Sequence, residues 1–285
     1  MKKALRIPLN IEIPAYLRDH RFMGRAVFPA VEAMRLLADS VRSEFPEIPG
    51  DCICNARFDK FLPLSPEQEQ MAVFHEAKEC EDRVISKLIT RIYSEKTGIG
   101  RSIAHVMLHF PKTARPRREN LPAAVPEKNG PYKIPAERVY AELVPFGPYY
   151  QNIIGSVQLS ENRASADVRG GSAGISAYFP NSSADISVSP FPLDAAFHTA
   201  CVWSQRYAGM VAFPVAFKAR HIIRPVLFNK TYRAVSFPLR REKSILFFDI
   251  VLYDRKGNLC ESVEEMQMRD VSRGRLSPPP WIKKR

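Results

Sequence analysis

Two short segments carry the side chains best suited to moving protons. The first runs Tyr16-Leu-Arg-Asp-His20-Arg-Phe-Met-Gly24-Arg-Ala-Val-Phe-Pro29. A histidine precedes a glycine, and the glycine precedes a proline at which a helix can begin. A helix N-terminus offers N–H groups and partial positive charge, and glycine lets a ligand approach the backbone. A thioester carbonyl held there would be polarised while His20 removes the neighbouring α proton. Taken alone, the histidine reads more simply as a loop residue capping a turn.

The second segment is Pro192-Leu-Asp194-Ala-Ala-Phe-His198. Asp194 and His198 stand at i and i+4 and share a helix face. Phe191, Leu193, Ala195, Ala196 and Phe197 surround them with apolar groups. Such surroundings favour a neutral carboxylic acid, which can serve as a general acid, with His198 to orient it. An aspartate in a first helical turn is also a common complement to the helix dipole. Local sequence leaves both readings open.

The remaining candidates are weaker. His105 and His109 form HxxxH without the glutamate of HExxH, on a segment that reads as a strand, so they are taken as structural and no metal is expected. His75 and His221 stand in no motif. The five cysteines, Cys52, Cys54, Cys80, Cys201 and Cys260, are odd in number and scattered, against a disulfide framework. Cys52 and Cys54, at i and i+2, put two thiols on one strand face and not into a zinc pair. There is no GxGxxG or phosphate loop.

The elements that must hold these groups come in two sets. A helix is expected near Ala30 to Ser43, where Val31, Met34, Leu37, Ala38 and Val41 make an apolar stripe. A second is expected near Leu193 to Tyr207, with Pro192 just before it. Strand-like runs follow: Cys52 to Leu64, Met71 to Ala77, Val84 to Tyr93 and, after a turn at 94–98, Ser102 to Phe110. Later runs are Gly155 to Leu159, Ala164 to Val168, Ala184 to Val188, Ala216 to Ile223, Tyr232 to Leu239 and Ser244 to Tyr253. The turn Asp254-Arg-Lys-Gly257 then leads into Leu259 to Arg269. One helix with several antiparallel strands, twice over, predicts an α+β protein with a helix wrapped by a curved sheet in each half.

Six prolines between Pro111 and Pro135 divide the halves. Proline fixes φ and removes a donor, so this stretch reads as a linker. The expected division is 1–112, a linker over 113–136, and 137–285.

Composition narrows the class. The 285 residues are 45% hydrophobic and 25% charged, ordinary for a soluble globular chain. No apolar run approaches the roughly 20 residues of a bilayer span. Met1-Lys2-Lys3 is followed by Arg6, Pro8, Asn10 and Glu12, so no secretory apolar region forms, and a cytoplasmic location is expected. The net charge of +12 comes from dispersed residues without any nucleic-acid-binding motif, so no nucleic acid is expected. An acidic protein partner fits better.

At this point the motifs resemble a known family. His20-xxx-Gly24-xxxx-Pro29 is similar to the HxxxGxxxxP motif of the dehydratase domains of polyketide synthases and related polyunsaturated fatty acid synthases. Tyr16-Leu-Arg-Asp-His20 and Glu32-Ala-Met are similar to its flanks. Asp194-xxx-His198 resembles the second motif, an aspartate followed four residues on by glutamine or histidine. Phe146-Gly-Pro-Tyr-Tyr-Gln151 resembles the YGPxFQ element between them. The order of the three motifs, across most of the chain, carries the resemblance.

The resemblance implies a double hotdog, with the active site at the seam of the two halves. It implies dehydration of a 3-hydroxyacyl thioester to the enoyl thioester, a hydro-lyase reaction of polyketide or fatty-acid type biosynthesis. His20 would remove the α proton and Asp194 would protonate the departing hydroxyl. Gly24 would offer an N–H to the thioester carbonyl, and His198 would position Asp194. Pro29, Gly147, Tyr150 and Gln151 would support or bind the substrate. No cofactor is implied beyond the phosphopantetheine of an acyl carrier protein, or coenzyme A, that bears the substrate. The chain, with no synthase domains of other kinds, would act in trans as a monomeric pseudo-dimer or a homodimer, with other synthase components as possible partners. Two departures stand out. Ala30 replaces the family's usual glycine, and Phe146 replaces tyrosine, which bears on substrate preference. A product-template-like cyclase, a double-bond isomerase or a noncatalytic synthase subunit would use the same fold.

Overall fold

Prolines mark where both helices start, and different side-chain patterns decide how deeply each is buried. We describe a computed structural model at residues 3–93, 100–113, 132–172, 174–178 and 188–283. The chain divides into two compact units, Met1–Pro116 and Arg117–Arg285.

In the first unit β1 (Ala4–Glu12) precedes a 3₁₀ turn, Ala15–Asp19, and a small hairpin, β2 (Arg21–Phe22) and β3 (Arg25–Ala26). Helix α1 spans Ala30–Glu44. Then come β4 (Cys52–Phe58), β5 (Gln70–Glu79), β6 (Arg83–Tyr93) and β7 (Gly100–Pro111). The sheet order is β1-β5-β6-β7-β4, antiparallel throughout. Helix α1 is amphipathic. Val31, Met34, Leu37 and Val41 are buried, and the helix lies against β5, β6 and β7. Its outer face carries the linked ion pairs Arg35–Asp39 and Arg42–Asp39.

In the second unit β8 (Tyr132–Pro135) leads into a short helix α2 (Ala136–Arg138) and a π turn, Val139–Leu143. After β9 (Ile153–Ser160) and β10 (Arg163–Arg169) comes α3 (Phe191–Trp203), closed by a second π turn, Ser204–Ala208. Strands β11 (Phe213–Ile222), β12 (Thr231–Glu242), β13 (Ile245–Asp254) and β14 (Leu259–Arg269) complete the order β11-β14-β13-β12-β10-β9-β8. Helix α3 has no polar stripe, and every residue from Phe191 to Val202 is buried. A helix apolar on all sides must be enclosed, and α3 lies against β9 to β13. Ala195, Ala196 and Ala200 let the sheet approach closely. At β14, Glu265 has φ +49 and interrupts the ladder with β13. Its N–H is taken by the buried Asp249 carboxylate at 3.0 Å, which accounts for a carboxylate in that core.

Several expectations are corrected. The run from Cys52 to Leu64 ends as a strand at Phe58, because the Asp59 and Lys60 N–H groups turn to the His105 carbonyl. The linker expected over 113–136 does not extend to its end, since Tyr132–Pro135 is a strand paired with β9. That strand is at the sheet edge, where proline is tolerated. Helix α3 starts at Phe191, so Pro192 lies inside its first turn instead of before it. Strand β1 was not anticipated, although Leu5, Ile7, Leu9 and Ile11 alternate with polar residues. Residues 94–99 and 114–131 lie outside the described residues, as does most of the run Ala184 to Val188, of which Val188 forms an isolated bridge to Leu227.

Candidate active site

In the first unit the chain reaches His20 through the buried pair Tyr16 and Leu17. Tyr16 donates its hydroxyl to the buried Glu32 carboxylate at 3.1 Å, and Arg35 closes the pair from the other side at 3.0 Å. The segment before His20 is thereby fastened to α1. His20 is half-buried, and its Nδ1 lies 3.1 Å from the Val27 carbonyl. A carbonyl only accepts, so in the neutral ring Nδ1 carries the proton and Nε2 carries the lone pair. The His20 carbonyl in turn accepts the Val27 N–H at 2.9 Å. His20 and Val27 therefore frame the hairpin whose tip is Met23-Gly24. Gly24 has φ +79 and open space where a Cβ would stand. Pro29 caps α1, its carbonyl accepting the Ala33 N–H at 3.0 Å. The helix starts at Ala30 in place of the family's glycine.

In the second unit Asp194 and His198 are 5% and 4% exposed. His198 Nε2 lies 2.9 Å from Asp194 Oδ2. The ring N–H is oblique to the carboxylate, so this is a close contact without the alignment of a hydrogen bond. On the other side of the ring, Nδ1 is 3.4 Å from the Tyr140 hydroxyl. That hydroxyl also accepts the Ile153 N–H at 2.9 Å. Burial pushes the Tyr140 pKa up, so it remains a donor. Tyr140 can donate to Nδ1 of the His198 tautomer that carries its proton on Nε2.

Ser189 secures the start of α3. Its hydroxyl donates to the Gly170 carbonyl at 3.0 Å and accepts the Phe191 N–H at 3.3 Å. Gly170 approaches the Leu227 carbonyl so closely that a Cβ would stand 2.2 Å from it.

The YGPxFQ-like element supports this site from beneath. Gly147 caps the turn Pro148–Tyr150, and its carbonyl accepts the Tyr150 N–H at 3.0 Å. Tyr150 is fully buried, its ring packed between Phe146 and Phe191. Gln151 donates its side-chain amide to the Phe146 carbonyl at 2.8 Å. Together they present the Phe146 ring to His198, 4.9 Å between centroids. Among the expected second-unit residues, Asp194, His198, Tyr150, Gln151 and Gly147 thus belong to one constellation around Phe146.

Sequence reasoning missed Tyr140, Ser189 and Gly170. Tyr140 meets His198 across 58 residues of chain, and no local spacing announces that contact. Three further histidines, His75, His105 and His109, make contacts within the first unit. His75 bonds Ser40 and Ser86, each at 2.7 Å, and His105 Nδ1 faces the Lys60 and Phe61 carbonyls. His109 Nδ1 lies near Asn55. Cys52 and Cys54 are buried with their sulfurs 3.5 Å apart. Among the described residues no group of three or more His, Cys, Asp or Glu side chains is placed to hold a metal, and no helix is long and apolar enough to cross a membrane.

Comparisons with known proteins agree with this architecture. The family model for the polyketide synthase dehydratase N-terminal domain matches residues 115–278, more than half of the chain. The matched stretch contains Asp194, His198 and residues 146–151, while His20 precedes it. No curated protein matches. Among solved structures, the dehydratase domain from the CurF module of curacin polyketide synthase is 19% identical. The match covers 93% of each chain, with a TM-score of 0.73. An N-terminal dehydratase from the difficidin assembly line is 17% identical over 94% of each chain, TM-score 0.71. The dehydratase domain of PpsC from Mycobacterium tuberculosis, in complex with C12:1-CoA, is 17% identical over 93% of each chain, TM-score 0.68. These likenesses give the fold, a double hotdog, and with the family match they lead to one conclusion: the chain is a member of the polyketide synthase dehydratase family.

Proposed function

We propose that this protein removes water from a 3-hydroxyacyl thioester, with His20 as base and Asp194 as acid. The observation that carries the reading is the setting of the two groups. His20 is fixed through Nδ1, with the lone pair of its neutral ring on Nε2, and Asp194 is buried with its Oδ2 2.9 Å from His198 Nε2.

His20 Nε2 takes the proton from the α carbon. The electron pair left behind forms the α,β double bond as the β C–O bond breaks. Asp194 gives its proton to the departing hydroxyl, which leaves as water. His20 then holds one proton more and Asp194 one fewer, and exchange with solvent restores both. Electrons and protons balance within the acyl chain and these two side chains. The phosphopantetheine arm that bears the thioester is substrate. The Gly24 N–H is the group we assign to the thioester carbonyl, where charge develops as the α proton leaves.

The test is direct. Purified protein is incubated with 3-hydroxyacyl-pantetheine, and with the coenzyme A ester, and enoyl absorbance is followed. Loss of water is expected, and neither His20→Ala nor Asp194→Asn should retain it. Wild-type protein that loses no water from substrates of several chain lengths refutes the reading. An enoyl-pantetheine substrate whose double bond moves without a change in mass would show an isomerase instead.

A further inference from the structure

The hairpin that follows His20 exposes apolar side chains that a soluble surface rarely leaves uncovered. Met23 is 44% exposed at its tip, and Phe61 is 42% exposed beside it. The Phe22 and Phe61 rings stack at 4.5 Å between centroids. Met23 also has φ +49, a left-handed conformation that disfavours a non-glycine residue. The Phe22–Arg25 register across Met23-Gly24 makes this a tight two-residue turn. Backbone strain is thus accepted in order to hold a thioether out in water.

The patch is rigidly supported. His105 Nδ1 faces the carbonyls of Lys60 and Phe61 at 3.2 Å each. The Leu62 carbonyl accepts the Phe28 N–H, and the Leu64 N–H reaches the Ala26 carbonyl.

Its rim is cationic. Arg21, Arg25 and Lys60 are exposed, and among the described residues none has a carboxylate within 4.0 Å. Of the neighbouring acids, Asp59 is held by Arg57 at 2.8 Å and Asp19 is half-buried. An apolar centre with unneutralised cations around it is the complement of an acidic surface with an apolar patch. A two-fold contact between copies would bring the same cations together, so self-association is disfavoured.

We propose that Phe22, Met23 and Phe61, with Arg21, Arg25 and Lys60, form the docking surface for an acidic carrier protein that delivers the thioester to His20. The inference rests on the dehydratase reading above. The net charge of +12 supplies the long-range attraction.

The experiment compares one acyl group on two carriers. Wild type, Lys60→Glu and Phe61→Ser are each given 3-hydroxybutyryl-pantetheine and 3-hydroxybutyryl on an acidic bacterial acyl carrier protein. Both substitutions lie on the loop opposite the hairpin, and neither replaces His20 or Gly24. The expected result is a rise of roughly tenfold in KM for the carrier-borne substrate, with kinetics on the pantetheine substrate unchanged. The wild-type preference for the carrier should fall with added salt. Equal losses on both substrates, or no wild-type preference for the carrier, overturn the docking proposal. So does a change in oligomeric state, or binding of the patch to anionic vesicles, for these would identify another occupant. Failure of wild type on pantetheine itself is a different result, and it refutes the dehydratase reading.

Discussion

Ser189→Ala tests whether the start of α3 depends on one hydroxyl. The change removes an acceptor from the Phe191 N–H and a donor from the Gly170 carbonyl, inside a buried site. Each orphaned group costs about 1–3 kcal/mol when no water replaces the partner, and loss of a helix cap costs about 1 kcal/mol. The two hydrogen bonds share one hydroxyl, so the sum is expected near 2–3 kcal/mol and not at the upper limit of both. Both tryptophans of the chain, Trp203 and Trp281, lie in the second unit. Tryptophan fluorescence during urea unfolding therefore reads that unit alone. With a slope of about 2–3 kcal/mol per molar, the midpoint should fall by about 1 M. Ser189→Thr, which restores the hydroxyl, should recover most of it. A midpoint within 0.2 M (roughly 0.5 kcal/mol on the same slope) of wild type for Ser189→Ala refutes the capping argument. A threonine variant no better than alanine would refute it equally.

Three further outcomes are expected. Tyr140→Phe keeps the ring and removes the donor to His198, so kcat should fall about tenfold, the equivalent of one lost buried hydrogen bond, with KM nearly unchanged; wild-type kcat would remove Tyr140 from the site. Gly170→Ala sets a Cβ against a backbone carbonyl that cannot swing aside, and should destabilise the second unit by about 3 kcal/mol or more, read from the same fluorescence transition. Burial holds His75 down at a pKa of about 4, below the ordinary 6.5. The unfolded chain binds a proton there that the folded chain refuses between those values. Stability from this site is therefore complete above pH 6.5 and declines as pH falls toward 4. A ring-proton NMR titration of His75 with a midpoint above 6 would contradict the burial argument.

How much of this could be read in advance depends on how local the cause is. Helix α1 was legible because its apolar stripe and capping proline are contiguous. The hairpin at Asp254 was legible because Gly257, at φ +81, and the Asp254 carboxylate, which accepts the Lys256 and Asn258 N–H groups, make a turn from five residues. Helix α3 was found from its prolines and lack of charge, but its start was misplaced because Pro192 is equally suited to the first turn. Strand β8 was hidden by the proline before it in the sequence and by its own Pro135, which an edge strand accommodates. The proximity of Asp194 and His198 was legible in their i, i+4 spacing, whereas a role for them came only from the resemblance. Tyr140, Ser189 and Gly170 were not legible, for each acts through a contact between distant segments, and no periodicity encodes that.

The complete enclosure of α3 has a consequence for experiments that search for catalytic residues by tolerance to change. A systematic substitution scan would find nearly every position from Phe191 to Val202 intolerant, alanines included, because each faces packed neighbours. Under the proposed mechanism, Asp194 would not stand out from residues that do no chemistry. Only measurements that separate turnover from folded abundance could distinguish it. New acyl specificities should correspondingly arise in the strands and turns around the helix, where side chains can change without dismantling the unit.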